Sequence, residues 1–347
     1  MKITQLRAVQ PATPGSPPDW RTQLGQIVVE VTTDEGVTGI GVGGGGLAGI
    51  HIIETVLRDL LIGQDPTDVE AWHSEMCRHT AFYGQKGLVV MAISGVDLAL
   101  WDLRGKLLGQ PVARLLNEGV DLAQPLPTYR TVFDDVETEA ALDAGHAAVK
   151  LHVERFGDRP DPTAIAELVE RARNKLGSER ALMIDAFGRW DIPSTMAVAA
   201  AIEPYQLDWL EEPLSCDDLA GYEALKQSPV PIAGGEHEYL ISGFETLARE
   251  QLHTVLQPDI NWCGGMTTLV QIYQLAAQTG LRVCPHRGSE VYALHAIAAI
   301  DPQPLAESPR NWFNVLQGSP AIENGMIQLT DAPGFGINVA ADLWPAN

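Results

Sequence analysis

The sequence predicts an α/β fold in which a TIM-like barrel of eight parallel strands follows a smaller α+β unit. A length of 347 residues exceeds what one small domain needs. From residue 126 onward, short apolar runs alternate with amphipathic stretches, which is typical of repeated strand–helix units. Three runs end abruptly in Asp185, Glu211 and Glu236, at nearly equal intervals (211 − 185 = 26 and 236 − 211 = 25). A strand and its return helix take about this length, so these carboxylates are expected at one end of the barrel.

The first 122 residues are predicted to form an α+β capping (lid) domain. Two β-branched runs within 26–42, separated by a turn signal, indicate an antiparallel hairpin. Helical periodicity follows over 51–61, 69–79 and 88–109, and the last of these stretches ends in a glycine shortly before a proline. Hairpin and helices together form a compact unit that precedes the barrel.

Two segments of this domain are rich in residues that break regular structure. Pro11 to Pro18 holds prolines, glycine and serine, and Gly43 to Gly46 is a run of four glycines. We expect loops at both places. Loops on a cap serve either as a lid over a site or as plain surface connections, and the sequence leaves both alternatives open.

Residues 123–320 are predicted to form the barrel and to carry the active site. Eight strands are expected, over 128–132, 147–153, 181–185, 207–211, 230–236, 254–259, 282–286 and 304–307. The last segment, 321–347, contains a short strand-like run and is expected to return to the cap.

The three in-phase carboxylates predict a metal site. Like charges a few ångströms apart repel, and they raise each other's pKa. A hard divalent cation removes this conflict, and ligation by oxygen atoms alone suits Mg²⁺. Asp185, Glu211 and Glu236 are therefore the candidate ligands.

Other polar residues are expected at the same end of the barrel. Lys150 and His152 lie two residues apart on the second strand, so strict alternation places both side chains on one side. The sixth, seventh and eighth strands end in Asp259, His286 and Glu307. We take these five residues as candidate catalytic groups.

Composition excludes several classes of function. A net charge of −22 argues against binding to nucleic acid, which needs a basic surface, and equally against an anionic membrane. No apolar run approaches the ~18 residues of a membrane helix, and the N-terminus lacks the apolar core of a signal peptide. The four cysteines are scattered, which suggests neither disulfides nor a zinc site. We expect a cytoplasmic protein with a small-molecule partner.

The motifs at the strand ends resemble those of the enolase superfamily, and within it the mandelate racemase-like subgroup. The resemblance covers the whole chain and rests on Lys150-Leu-His152, Ile184-Asp185-Ala-Phe, Glu211-Glu212-Pro213, Gly235-Glu236, Gln257-Pro-Asp259 and Pro285-His286. It implies a (β/α)7β barrel without a regular eighth helix, with an α+β N-terminal capping domain that the C-terminal segment completes. It also implies a homo-oligomer, a dimer or an octamer.

The resemblance assigns a role to each candidate residue. The three carboxylates named above would bind Mg²⁺, which holds a substrate carboxylate and stabilises the enediolate formed when the α-proton leaves. Asp259 would orient His286 as acid or base on one face of the substrate. Lys150 and His152 would act from the other face, and Glu307 would hydrogen-bond a substrate carboxylate oxygen.

This sequence departs from the family pattern at two positions. His152 stands where many members have a second lysine that serves as base. Its role is either proton abstraction or substrate binding, and both put a simple two-base racemase in doubt. Phe187 stands where members often have an asparagine, so one polar group near the metal is missing.

The first hypothesis is therefore a carbon–oxygen lyase, a Mg²⁺-dependent hydro-lyase that dehydrates a sugar acid (aldonate or aldarate) to a 2-keto-3-deoxy acid. The alternative is a racemase, epimerase or cycloisomerase that uses the same enediolate. A third reading is a barrel that binds a ligand without turnover, against which the complete set of site residues argues. The general base, His152 or His286, is left open.

Overall fold

The N-terminal part is an antiparallel sheet, ordered β1-β2-β3, with helices packed on it. The computed structural model describes residues 1–11, 24–288, 290–309 and 315–344. The strands are β1 (Ile3–Val9), β2 (Ile27–Thr33) and β3 (Thr38–Gly43). The helices are α1 (Gly46–His51), which continues through a π-helical turn (Ile52–Leu57) into α2 (Arg58–Leu61), then α3 (Val69–Thr80), α4 (Leu88–Leu108) and α5 (Val112–Leu116). The predicted hairpin and helices are confirmed.

The two predicted loops have different outcomes. Residues 12–18 of the first lie outside the described part of the chain. The loop predicted over Gly43 to Gly46 is confirmed only for Gly44 and Gly45, because Gly43 ends β3 and Gly46 already begins α1. The physical reason is close packing: a Cβ at Gly43 would come within 2.4 Å of the Met91 carbonyl oxygen. Glycine is required there by the approach of α4 to the sheet.

The close packing of α4 on Gly41, which also lies in β3, leads to a testable prediction. A Cβ at this position would lie 2.0 Å from the Gly95 carbonyl oxygen, and backbone in a packed layer cannot move aside. We expect Gly41→Ala to destabilise the protein by about 1–3 kcal/mol and to lower Tm in a calorimetric scan. Gly119→Ala is the matched control, because its nearest neighbour would be a side-chain oxygen at 3.6 Å. Equal Tm values for both variants would contradict this packing.

The second part of the chain is the predicted (β/α)7β barrel. Its strands are β4 (Leu126–Val132), β5 (Ala148–His152), β6 (Leu182–Asp185), β7 (Trp209–Glu211), β8 (Ile232–Gly234), β9 (Val255–Leu256), β10 (Arg282–Val283) and β11 (Ala306–Glu307). They pair in parallel from β4 through β10, and β11 returns to pair with β4. The Cys284 thiol donates to the Leu305 carbonyl oxygen at 3.6 Å, which joins the ends of the last two strands.

One helix lies between each pair of successive barrel strands. These helices are α6 (Asp135–Asp143), α7 (Pro162–Leu176), α8 (Ile192–Ile202), α9 (Leu219–Leu225), α10 (Leu240–Arg249), α11 (Gly265–Thr279) and α12 (Val291–Ile300). Side-chain carboxylates cap four of them at the N-terminus, those of Asp134, Asp161, Asp191 and Asp218. None of the helices in the described ranges combines the length and the apolar composition that crossing a bilayer requires.

The C-terminal segment contacts both parts of the chain. Its strands are β12 (Leu316–Gln317), β13 (Ile322–Glu323), β14 (Met326–Ile327) and β15 (Asn338–Val339). β14 pairs antiparallel with the start of β4. Further on, the Phe335 N–H donates to Asp102 of α4 at 2.8 Å, and the Arg7 guanidinium of β1 lies 4.1 Å over the Trp344 ring. The domain limits at 122 and 320 stay predictions.

Candidate active site

The barrel interior is layered, and the layers place the polar residues. Its floor is a buried apolar cluster with one residue from each strand or its edge: Tyr129, Ala148, Met183, Trp209, Ala233, Val255, Cys284 and Leu305. Because side chains alternate along a strand, the residues two positions further on form the next layer. That layer contains Thr131, Lys150, Asp185, Glu211, Gly235, Gln257, His286 and Glu307. A polar layer thus lies next to the apolar floor, on the side of the carboxyl ends of the strands.

The site has two differently built halves. On β5, β6 and β7 the functional residues end the strands in register, with His152 beside Asp185 and Asp185 beside Glu211. The next three strands, of three, two and two residues, end earlier, and Glu236, Asp259 and His286 lie on the segments that follow them. All of these side chains are buried.

Lys150 connects three of the acidic residues. Its Nζ lies 2.9 Å from both carboxylate oxygens of Glu211, 3.0 Å from Oε1 of Glu307 and 3.7 Å from Oδ2 of Asp185. Burial lowers the pKa of the ammonium, but these carboxylates outweigh burial and raise it well above its ordinary value. Lys150 is therefore a fixed cation in the centre of the layer and donates hydrogen bonds.

His152 lies at the same edge as Lys150, as alternation predicts. Its Nε2 is 3.8 Å from Oδ2 of Asp185. The rings of Phe133 and Phe187 lie on its two sides, with centroids at 5.3 and 5.4 Å. Two aromatic rings thus pack against His152, which lies close to Asp185, a candidate metal ligand.

Asp259, His286 and Arg287 form a buried chain of contacts. Nδ1 of His286 lies 3.0 Å from Oδ2 of Asp259, and Nε2 lies 3.4 Å from Oε1 of Glu236. The Arg287 guanidinium donates to the same Asp259 oxygen. Burial raises the pKa of Asp259, but Arg287 and His286 together hold it well below its ordinary value. An ionised Asp259 fixes the orientation of the imidazole.

Glu307 joins the two halves. Its Oε1 accepts from the Thr131 hydroxyl at 2.6 Å, and its Oε2 accepts from the Arg287 N–H at 2.8 Å. Together with the Lys150 ion pair, these contacts hold both carboxylate oxygens in place. The structure thus brings together all eight residues that the sequence singled out.

The charges of this layer suit a bound cation. Six buried carboxylates belong to the site: Asp185, Glu211, Glu212, Glu236, Asp259 and Glu307. Burial raises the pKa of Asp185 to about 6 and that of Glu211 to about 7, although Lys150 lowers both. Glu236 raises the pKa of Asp185 further, which shows that these two charges interact. Convergent, hard oxygen ligands with excess negative charge fit Mg²⁺.

A second grouping of ligand atoms adjoins the predicted one. Atoms of Glu212, Glu236 and His237 all lie within 4.8 Å of one another. Nδ1 of His237 is 2.7 Å from Oε2 of Glu212. Burial lowers the pKa of His237, but the bond to Glu212 and the neighbouring carboxylates raise it to about 10. The grouping is thus an ion pair next to Glu236, because the imidazolium has no free lone pair for a metal.

Several contacts of the site were not predicted from sequence. Gln257 donates to Oε2 of Glu211 at 2.7 Å, and its position two residues before Asp259 was a usable signal. Arg287, which directly follows His286, is buried against Asp259. The missing asparagine at Phe187 is replaced in part by backbone, since the Phe187 N–H donates to Oδ1 of Asp185 at 2.9 Å.

Known proteins share both the fold and the length of this chain. Residues 135–343 match the family model "Enolase C-terminal domain-like", and residues 19–117 match "Mandelate racemase / muconate lactonizing enzyme, N-terminal domain". A curated relative from Caldivirga maquilingensis, named "Putative L-rhamnonate dehydratase", is 36% identical over 335 residues, which span 92% of this chain and 82% of the relative.

Solved structures superpose over nearly the whole chain. The 3,6-anhydro-D-galactonate cycloisomerase from Zobellia galactanivorans has a TM-score of 0.87 at 28% identity and covers 99% of this chain and 98% of its own. Rhamnonate dehydratase from Gibberella zeae, complexed with Mg, has a TM-score of 0.85 at 27% identity, with 99% and 95% covered. The chain belongs to the mandelate racemase/muconate lactonizing enzyme family of the enolase superfamily.

Proposed function

We propose that this protein is a Mg²⁺-dependent hydro-lyase that converts a sugar acid, an aldonate or an aldarate, to a 2-keto-3-deoxy acid. The observation that carries the proposal is the Asp259–His286 pair, in which the second ring nitrogen of His286, Nε2, lies 3.4 Å from Oε1 of the candidate metal ligand Glu236. Relatives named as sugar acid dehydratases support the same reaction class.

The proposed metal ligands are Asp185, Glu211 and Glu236. When bound, Mg²⁺ polarises the substrate carboxylate and lowers the free energy of the negative charge that deprotonation creates. Hydrogen bonds hold two of these ligands in position. The Gln257 amide and the Trp209 indole N–H donate to Glu211, and the Phe187 backbone N–H donates to Asp185.

His286 is the proposed general base. Its Nε2 accepts the α-proton while Nδ1 keeps its hydrogen bond to Asp259. The ionised Asp259 stabilises the imidazolium that results. The Lys150 ammonium, which Glu211 and Glu307 hold in place, stabilises the charge that grows on the substrate carboxylate.

The same imidazolium completes the elimination. It returns its proton to the β-hydroxyl, the C–O bond breaks, and the hydroxyl leaves as water. The enol product then tautomerises to the 2-keto-3-deoxy acid. We place both proton transfers on the His286 face, because His286 is paired with the ionised Asp259, whereas His152 lies beside two phenylalanine rings.

The alternative is an epimerase or cycloisomerase on the same platform. The structural similarity to a cycloisomerase supports this alternative only as far as the shared fold does, because dehydratases have the same fold. A racemase needs comparable bases on both faces. Here His286 is hydrogen-bonded to Asp259 at 3.0 Å, whereas His152 lies 3.8 Å from Asp185 and is packed beside two aromatic rings. The asymmetry supports dehydration.

A screen tests the proposal. A library of aldonates and aldarates is incubated with the enzyme and Mg²⁺, and 2-keto acids are detected as semicarbazones. We expect at least one acid to react with Mg²⁺ and not with EDTA. A racemised or cyclised product without a 2-keto acid would establish the alternative. No exchange of an α-proton in deuterated water for any acid would contradict an enzymatic role.

The raised pKa values predict a pH-dependent effect of the metal. In the folded protein, burial raises the pKa of Asp185 to about 6 and that of Glu211 to about 7, whereas the pKa of either group is about 4 in an unfolded chain. The folded state thus binds more protons in this window, and the stability these groups contribute is lost as pH rises through it. Mg²⁺ binds the ionised form, so its increase of Tm should be larger at pH 8 than at pH 5. Scanning fluorimetry with Mg²⁺ or with EDTA measures the increase of Tm at each pH. Equal increases at pH 5 and pH 8 would contradict the ligand assignment.

Three further properties remain proposals. They are the capping domain 1–122 with the barrel 123–320 and the returning segment 321–347, a homo-oligomer (dimer or octamer), and a cytoplasmic location. Light scattering after size-exclusion chromatography tests the second: a mass equal to the 37.5 kDa chain would contradict it.

A further inference from the structure

His152 stands between two aromatic rings that come from the strands on either side of its own. Phe133 directly follows β4, His152 ends β5, and Phe187 follows β6 by two residues. The ring centroids of Phe133 and Phe187 lie 5.3 and 5.4 Å from that of His152, at interplanar angles of 43° and 46°. Both separations fall within the ~4.5–7 Å of favourable aromatic contacts.

Core packing does not explain where these rings lie. Phe133 is 48% exposed, although burying a phenylalanine is favourable. Phe187 has φ 59°, a left-handed conformation that costs about 1–2 kcal/mol for a residue with a side chain. Such a conformation persists only where the surroundings enforce it, and it occurs preferentially at functional sites. The Phe187 N–H bond to Asp185 is part of that enforcement.

The consequence of this arrangement concerns the direction of the imidazole. The two rings come from the strands on either side of β5 and both lie against the imidazole, so they restrict its rotation about the side-chain bonds. Its Nε2 therefore stays on the side of Asp185, 3.8 Å from Oδ2. Groups that face a substrate act only when held within about 0.5 Å of the productive position.

We propose that Phe133 and Phe187 form an aromatic clamp, a pair of positioning residues that hold His152 towards the substrate. The inference rests on the proposed function, because it presupposes a sugar acid in this site. His152 would orient the substrate opposite His286, so a misplaced imidazole should slow proton transfer and lower kcat more than it raises KM. Because the clamp acts through His152, this effect should vanish once His152 is absent.

Phe133 is the better residue for a test, since Phe187 adjoins a proposed metal ligand. Phe133→Leu removes the ring, and Phe133→Tyr keeps it as the matched control. Both are made in the natural chain and in a His152→Gln background. We measure kcat and KM with an acid identified by the screen, and the imidazole resonances of histidine-labelled enzyme by NMR. The His152 signal is identified by its absence in His152→Gln.

We expect Phe133→Leu to lower kcat about two- to tenfold, to leave KM within about twofold of its value, and to shift the His152 resonance. Phe133→Tyr should retain both kcat and the resonance, and Phe133→Leu should have no effect in the His152→Gln background. An equal loss of kcat in that background, or an unmoved resonance, would overturn the clamp. If no acid reacts at all, the proposed function fails, and the NMR measurement alone decides whether the clamp exists.

Discussion

His286→Asn is expected to lower kcat for dehydration by about 10²–10⁴-fold, the loss typical of a general acid–base. Asparagine preserves a hydrogen bond towards Asp259 but has no nitrogen that accepts a proton. Both proposed proton transfers use the same Nε2, so the variant should lose α-proton exchange as well as water elimination. Steady-state assays and exchange in deuterated water measure these two activities.

The same variant should bind Mg²⁺ with nearly unchanged affinity. His286 contacts Glu236 at 3.4 Å but is not among the proposed ligands. Isothermal titration calorimetry separates the two effects, and His79→Asn, on the exposed end of α3, is the matched control. Turnover of His286→Asn within about tenfold of the natural enzyme would exclude His286 as the general base and return the role to His152.

Asp185→Asn is expected to abolish both Mg²⁺ binding and turnover. The substitution keeps the size of the side chain and removes one of three anionic ligands. It also removes a partner of Lys150, whose ammonium lies 3.7 Å from Oδ2. The loss of affinity should exceed the 10–100-fold that follows when a residue merely supporting a ligand is changed. Calorimetric titration with Mg²⁺ provides the measurement.

A control for this variant lies far from the site. Asp331, on the C-terminal segment, pairs with Arg114 at the surface, and its side chain is 76% exposed. Asp331→Asn should bind Mg²⁺ and turn over substrate like the natural enzyme. Normal Mg²⁺ affinity in Asp185→Asn would contradict the ligand assignment and direct attention to the group of Glu212, Glu236 and His237.

The site residues on β5, β6 and β7 could be predicted from sequence, because equal spacing along the chain places residues at the same end of neighbouring barrel strands. Lys150, Asp185 and Glu211 follow floor residues by two positions on adjacent parallel strands, so alternation alone brings them into one layer. The same logic predicted the eight strands and the strand–helix alternation, whereas the absence of a regular eighth helix was implied by the family resemblance. The strands and this alternation depend on local periodicity, which a single sequence contains.

The remaining features depend on contacts between distant segments. The Glu212–His237 ion pair joins two turns, and the aromatic clamp joins the ends of three strands. The loop at Gly43 to Gly46 is shorter than its four glycines suggest, because Gly43 belongs to the strand on which α4 packs. No period of the sequence encodes such tertiary approaches, so spacing could not reveal them.

The most direct test of the proposed reaction uses a sugar acid deuterated at C2. With the acid identified by the screen, mass spectrometry follows the 2-keto-3-deoxy product while NMR follows loss of the C2 deuterium. If the enzyme dehydrates the acid as proposed, both processes should proceed together, require Mg²⁺, be slowed by a primary isotope effect and be absent in His286→Asn. Loss of deuterium without formation of the keto acid would contradict dehydration and would identify the enzyme as an epimerase.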